Sequence, residues 1–283
     1  MSNNLFFKYL IGTMLFAISV GITSCQQSDP EDVLGRQGDI VNFSGRKWDV
    51  KYSKTPVGPG PNYFSQFYDD VWVDEKGYLH LTIANHDGIW YSSEVISQEN
   101  MGYGTYVFTI QADISSFARN VVFGLFTWDD STFYEEANSE VDIEFSRWDD
   151  AETTKLLTMS VQPVNFGTFY PERTHTADVE QEVLSGVSTH MFTWTDTLIT
   201  WASYTGENYT SATPIATWDF DLNHPPRIKK EGGQSSLPVV IPAPGNNTNA
   251  RINLWTLPFV ANGPENGLQH EVVIRKFEYF PAE

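Results

Sequence analysis

Residues 140–145, Glu-Val-Asp-Ile-Glu-Phe, alternate acidic and apolar side chains without a break, and no other stretch limits the possible fold as tightly. A period of two is that of a β-strand, whose successive side chains point to opposite faces. Glu140, Asp142 and Glu144 therefore share one face, while Val141, Ile143 and Phe145 share the other and belong in a core. Carboxyls about 6.6 Å apart along one strand face repel each other and cost stability. A substrate could justify them. Glycoside hydrolysis uses two carboxyl groups flanking the scissile bond, one ionised and one protonated, held roughly 5–5.5 Å apart in retaining enzymes. An extended strand puts the Cα atoms of Glu140 and Glu144 about 13 Å apart. Their side chains must therefore lean together, as they would on the concave face of a curved sheet. Asp142, between them, would couple the two titrations, stabilising a proton on one neighbour and helping to hold the other ionised.

Spacing alone proves little in a chain with 36 acidic residues among 283. Asp178, Glu180 and Glu182 repeat the same spacing, but Val179 and Gln181 lie between them, and residues 171–176 just before read as a loop. The first triplet has strictly apolar alternates and follows the strongly apolar run 121–128. Context therefore favours the first triplet for chemistry.

The start of the chain reads as an export leader, with Lys8, an apolar run over residues 9–22 too short for a comfortable membrane span, and small residues before Cys25. Residues 22–25, Ile-Thr-Ser-Cys, resemble a bacterial lipobox. That predicts a lipoprotein signal peptide over 1–24, lipidation of Cys25, and an acidic linker over 25–38 that tethers the chain in the cell envelope, at the outer membrane or cell surface. A plain secretory signal with an incidental cysteine is the competing reading. Cys25 is the only cysteine, so an intrachain disulfide is excluded.

The remaining residues, 39–283, are enough for one large β domain. A formal charge of −19 disfavours nucleic acid or an anionic bilayer as a partner, and leaves the lipid anchor as the membrane contact. Such a surface suits neutral ligands. Aromatics at 14%, nine of them Trp, could serve as sugar platforms, although large β cores also use them.

Beyond the linker, short strands punctuated by turn residues and no sustained helical period predict an all-β sandwich. Residues 71–73 and 78–83 flank the turn 74–77 as a hairpin. Further strands are expected at 104–112, 121–128, 140–145, 156–162, 190–195, 198–204, 250–257 and 271–280. Residues 221–249, rich in Pro and Gly, read as one long loop. The six histidines are scattered without zinc-site spacing, and His86 and His270 read as structural.

Several of these stretches, in order, resemble glycoside hydrolase family 16, which includes lichenases, laminarinases and xyloglucan-modifying enzymes. Residues 140–144 resemble its Glu-x-Asp-x-Glu signature. Glu94 followed by residues 101–104, Met-Gly-Tyr-Gly, resembles an upstream cleft strand. Residues 190–194 with 199–201 look like its His-x-Phe-x-Trp hairpin, and residues 251–255, Arg-Ile-Asn-Leu-Trp, like its late Asn-Leu-Trp strand. The resemblance covers roughly residues 39–283. It implies a concave β-jelly-roll sandwich of two antiparallel sheets, acting as a monomer on a polysaccharide or oligosaccharide with no cofactor. It also implies Glu140 as nucleophile, Asp142 as assisting carboxylate and Glu144 as acid/base. Glu94, Tyr103, Asn253 and Trp255 would line sugar subsites, with ordinary sandwich packing as the competing reading. Trp128, Tyr134 and Trp148 flank the signature and are candidate sugar platforms.

The implied activity is retaining endo-hydrolysis of a β-linked glucan, on the pattern of a β-1,3-1,4-glucanase. A non-catalytic glycan-binding lipoprotein and a transglycosylase on the same fold are the alternatives. Departures from the family bear on the substrate. Ile96 stands where lichenases often carry Arg, and Asn138-Ser139 precedes Glu140 where an aromatic or acidic residue is common. Arg275 stands where the family often has a calcium-binding Asp, so no metal is expected. The absence of an extra residue before the last Glu resembles the lichenase and xyloglucan side.

Overall fold

A computed structural model describes residues 39–283 apart from Gln66 and residues 166–168, 225–226, 232–233 and 258–262. The leader, Cys25 and the linker lie outside the described residues. The strands in chain order are β1 (Ile40–Phe43), β2 (Arg46–Val50), β3 (Tyr63–Phe64), β4 (Val71–Val73), β5 (Leu79–His86), β6 (Ile89–Ser97), β7 (Gly104–Ala112), β8 (Val121–Trp128) and β9 (Val141–Ser146). They continue as β10 (Leu157–Val161), β11 (Thr174–Thr176), β12 (Gly186–Trp194), β13 (Leu198–Thr205), β14 (Ala216–Asp221), β15 (Arg227–Glu231), β16 (Gln234–Val239), β17 (Asn249–Thr256) and β18 (His270–Pro281). Two one-turn helices, α1 (Phe133–Glu136) and α2 (Gln181–Leu184), sit in connections.

The strands build a concave β-jelly roll of two antiparallel layers. One runs β11-β10-β9-β8-β17-β6, with β2 and β1 beyond, and the other runs β4-β5-β18-β7-β12-β13-β14. The hairpin of β5 and β6, whose far end pairs Ala84 with Tyr91, joins them. Apolar alternates from both layers fill the space between. Val141, Ile143 and Phe145 of β9 and Phe123 and Leu125 of β8 meet Phe108, Ile110, Phe192 and Trp201 from the opposite layer. Full burial of each large apolar side chain contributes about 1.5–3 kcal/mol, so the apolar half of the 140–145 pattern anchors the acidic half.

The turn at 74–77 forms as expected, with Asp74 N–H donating to the Tyr78 carbonyl at 2.9 Å and Gly77 at φ 82°. Two stretches read as loops are not simply loops. Residues 221–249 contain the β15/β16 hairpin. Residues 171–176 contain β11, which pairs with β10 as an edge strand. Three residues were too few to show alternation, and the pairing partner lies more than ten residues back. Residues 101–104 do not continue the cleft strand from Glu94. They connect β6 in the cleft layer to β7 in the other, because the chain crosses between layers there.

Candidate active site

Cross-strand register assembles the cleft floor in two rows. In one, Thr176 faces Thr158, Thr158 faces Glu144, Glu144 faces Gly124, Gly124 faces Asn253, and Asn253 faces Glu94. In the other, Thr174, Ser160, Asp142, Phe126 and Arg251 follow one another. Alternation within each strand puts all of these on the face away from the core. They line a cavity of about 540 Å³ that also takes in Lys51, Pro59, Trp128, Asp130, Glu140, Trp148, Gln162 and Trp255. A Cβ at Gly124 would lie 2.6 Å from Asn253 Oδ1, so any larger residue there would displace the Asn253 side chain.

Glu140 sits one residue before β9 in extended conformation, its carbonyl accepting from Gln162 N–H at 3.1 Å. Its approach is unusual, with Ala137, Asn138 and Ser139 at φ 50°, 62° and 52°, a left-handed run that costs about 1–2 kcal/mol per residue. Hydrogen bonds hold it. Asp129 N–H donates to the Asn138 carbonyl at 2.6 Å, Thr127 Oγ1 donates to the Ser139 carbonyl at 2.8 Å, and Ser139 Oγ donates to the Ala243 carbonyl at 2.7 Å. The small polar pair Asn138-Ser139 that departs from the family pattern thus shapes the turn into Glu140. From behind, Trp201 Nε1 donates to the Asp142 carbonyl at 3.1 Å, and His190 packs edge-on against Phe145 at 4.8 Å. Burial holds His190 neutral, its pKa pushed down to about 3.

Electrostatics distinguish the three carboxyls. Burial, then the charges of Asp142 and Glu144, push Glu140 well above the ordinary carboxylate range, while Arg251 pulls the other way. Burial raises Asp142 to about 7 against hydrogen bonds from Gln162 and from Glu140. Burial and the charge of Asp142 raise Glu144. Glu140 and Asp142 hydrogen-bond each other through a shared proton, and the three carboxyls titrate as one coupled group. Gln162 Nε2 donates to Asp142 Oδ2 at 3.0 Å and fixes that side chain.

The other sequence-predicted residues fall into three places. Asn253, Trp255, Trp128 and Trp148 line the cavity. Glu94 also lines it but is 1% exposed, bound to Lys51 Nζ at 2.8 Å and 3.5 Å from Arg251 Nη1. Tyr103 lies outside the cavity lining, packed edge-on against Trp194 at 5.3 Å, because the 101–104 connection has already left the cleft layer. Tyr134 stands exposed on α1 against Phe133, also outside the lining. Arg275 pairs with Glu207 at 2.6 Å and lies over the Tyr78 ring.

Sequence reasoning passed over Lys51, Arg251, Asp130, Gln162 and the hydroxyl rows Thr158–Thr176 and Ser160–Thr174. Their signal exists only once the register is known: Arg251 and the hydroxyls share the acidic face through cross-strand pairing, and Lys51, Asp130 and Gln162 follow the ends of β2, β8 and β10. Ile96, the residue standing where lichenases often have Arg, faces Arg251 across β6 and β17.

Solved structures of this fold are numerous. A β-glucanase from Bacillus licheniformis superimposes with a TM-score of 0.55 at 15% identity, over 83% of this chain and 92% of that one. A family 16 glycoside hydrolase from a Bacteroides ovatus mixed-linkage glucan locus, in complex with product, gives 0.56 at 12% over 82% and 94%. A Flavobacterium laminarinase gives 0.56 at 11% over 82% and 92%. The fold is shared with jelly-roll glucanases. No family model matches the sequence, and no curated protein matches it.

Proposed function

We propose that the chain is a retaining endo-glycoside hydrolase of family 16 that cleaves a β-linked glucan, on the β-1,3-1,4-glucanase pattern. The observation that supports this is β9 and the residue before it presenting Glu140, Asp142 and Glu144 together in one cavity, with burial and the charges of both neighbouring acids raising Glu140, and burial and the charge of Asp142 raising Glu144. Two environments for two glutamates are what a nucleophile and an acid need. Asn253 Oδ1 is a buried acceptor without a hydrogen-bond donor among the described residues and faces Glu94 in register, which suits a sugar hydroxyl.

In the first step Glu140 passes its shared proton to Asp142 and attacks the anomeric carbon. The bond to the leaving sugar breaks, and its electron pair stays on the oxygen, which takes the proton from Glu144. In the second step Glu144 removes a proton from water. The water oxygen attacks the anomeric carbon and the bond to Glu140 breaks, giving overall retention.

Incubation with mixed-linkage β-glucan, laminarin and xyloglucan, followed by mass and anomer analysis, tests the proposal. Shorter products of retained configuration are expected from at least one polymer. Binding without turnover of the whole panel overturns it in favour of a glycan-binding protein, and products longer than the starting oligosaccharides point to transglycosylation. Export and lipid tethering through Cys25 belong to the same proposal. Cys25→Ala is expected to leave the leader uncleaved and unlipidated, and a soluble chain starting downstream of Cys25 overturns the tether.

A further inference from the structure

We propose that Asp129, buried behind the cavity, is the positioning residue for Glu140: it clamps the left-handed turn 137–139 that sets the Glu140 carboxyl beside Asp142. This rests on the reading of Glu140 as nucleophile. Trp128 and Asp130 line the cavity, and Asp129 between them does not. Its side chain is fully buried, and four hydrogen bonds satisfy it. Oδ1 accepts from Ser131 N–H at 2.8 Å and from Ser131 Oγ at 2.6 Å, while Oδ2 accepts from Asn247 N–H at 2.9 Å and from Thr248 Oγ1 at 3.2 Å. One oxygen thus holds the turn after β8, and the other holds the segment 242–248. Burial pushes the Asp129 carboxyl up, but the donors from Ser131, Asn247 and Thr248 outweigh it and hold it below the ordinary range. Gly245 packs so close that a Cβ there would collide with Oδ2.

The backbone of Asp129 carries this fixation to the nucleophile. Its N–H donates to the Asn138 carbonyl at 2.6 Å, and its carbonyl accepts from Asn138 Nδ2 at 3.2 Å. The segment 242–248 braces the same turn from its other side, since Ser139 Oγ donates to the Ala243 carbonyl at 2.7 Å and Ala243 N–H donates to Glu136 Oε2 at 3.0 Å. Asp129 therefore ties together both partners of the turn. Three consecutive non-glycine residues at φ 50°, 62° and 52° persist only where their surroundings over-determine them. The run stops at the residue before Glu140, whose carboxyl must reach the anomeric carbon in a geometry where a misplacement of about 1 Å can cost about 10²-fold in rate. A buried carboxylate is a costly filler for the space behind a turn. What it adds over an apolar side chain is direction, with one oxygen for each of two segments.

The test introduces Asp129→Ala into two backgrounds, the wild type and Glu140→Ala supplied with azide, and measures kcat and KM separately on a glucan that the wild type cleaves. In the wild-type background kcat is expected to fall about 10²-fold while KM stays within about twofold, with a smaller loss for Asp129→Asn, which keeps one acceptor oxygen. In the azide background the nucleophile is a free anion, so Asp129→Ala should leave the rescued rate within about twofold. Equal losses in both backgrounds, or none in either, overturn the positioning role, because a merely structural clamp would damage the cleft whichever nucleophile attacks. A carboxyl-carbon NMR titration of glutamate-labelled protein, assigned with Glu140→Gln, gives a readout independent of turnover. Asp129→Ala is expected to shift the Glu140 curve as its hydrogen bond to Asp142 loosens, with Glu144 moving less. That result in a protein that cleaves no glucan supports the role of Asp129 and overturns the hydrolase reading instead. Equal movement of Glu140 and Glu144, or none, overturns the role of Asp129 whatever the activity. If Asp129→Ala does not fold, Asn138→Gly replaces it, because glycine adopts φ 62° without strain and removes only the Nδ2 donor. A kcat loss confined to the wild-type background with a shifted Glu140 curve then supports the role, and an unchanged enzyme overturns it.

Discussion

Two stretches of this chain place three acidic residues at the same spacing, and they end in opposite surroundings. Glu140, Asp142 and Glu144 stand on a strand flanked by paired strands on both sides, with Asp142 2% exposed, and burial pushes all three carboxyls up. Asp178, Glu180 and Glu182 lie around the start of α2, and the Asp178 side chain is 95% exposed. Hydrogen bonds from Lys155 hold Asp178 and Glu180 below the ordinary carboxylate range. The difference shows that spacing does not make a site. Val179 between the second set of acids is buried as well, so what matters is whether the acidic face itself is covered, as it is on β9 between its paired neighbours and is not at Asp178 and Glu180.

Substitutions can break this comparison, and the largest expected effect is at Glu140. Glu140→Ala removes the covalent route and should abolish turnover, while added azide should restore some activity with the opposite anomeric configuration, read by product NMR. Glu144→Ala should slow natural glycans by roughly 10²–10⁴-fold yet spare the first step on substrates with good leaving groups, which steady-state and burst kinetics separate. Glu180→Ala should leave both assays unchanged. A dead Glu180→Ala beside an active, folded Glu140→Ala would mean that strand context had selected the wrong triplet.

A smaller effect sharpens the comparison through pH. A carboxyl whose folded pKa is raised binds its proton more tightly folded than unfolded, so its contribution is present below the unfolded value and is lost as pH rises through the folded one. For Asp142 that window runs from its unfolded value near 4 up to about 7, and the loss is on the order of a few kcal/mol shared across the coupled trio. Melting temperature should therefore fall across that window, and Asp142→Asn should flatten the fall and leave the protein more stable than wild type at neutral pH. Turnover should drop less than for either glutamate variant, with a shifted acidic limb. Asp178 and Glu180 have the opposite sign, because lowered carboxyls stabilise above the unfolded pKa and lose that contribution on acidification. Since they are exposed, Asp178→Asn should change the melting profile least of all.

Much of the fold was legible. The expected strands at 104–112 and 121–128 match β7 and β8 end to end, and the acidic strand is displaced by one residue. Strands that showed no clear pattern, β1, β2, β3, β11 and β14, were missed, as was the hairpin inside 221–249, and β6 was expected only as the cleft strand carrying Glu94 that the family resemblance implied. Edge strands and strands with mixed faces bury too little on either side to impose alternation on their residues. Tyr103 and Tyr134 fell outside the cavity because proximity in sequence to a motif does not carry a residue across to the other layer or down from an exposed turn.

What the sequence determined by itself was the division of faces, since the pleat of a strand sends alternate side chains to opposite sides whatever lies around it. That was enough to pair Glu140, Asp142 and Glu144 and to commit Val141, Ile143 and Phe145 to the core. Tertiary structure alone decided which triplet met a cavity, and it brought Lys51, Glu94 and Arg251 to the same cleft from distant parts of the chain. Charge state depends on burial and on neighbours within a few ångströms. Those neighbours are chosen by strand register and sheet curvature, which no local pattern encodes.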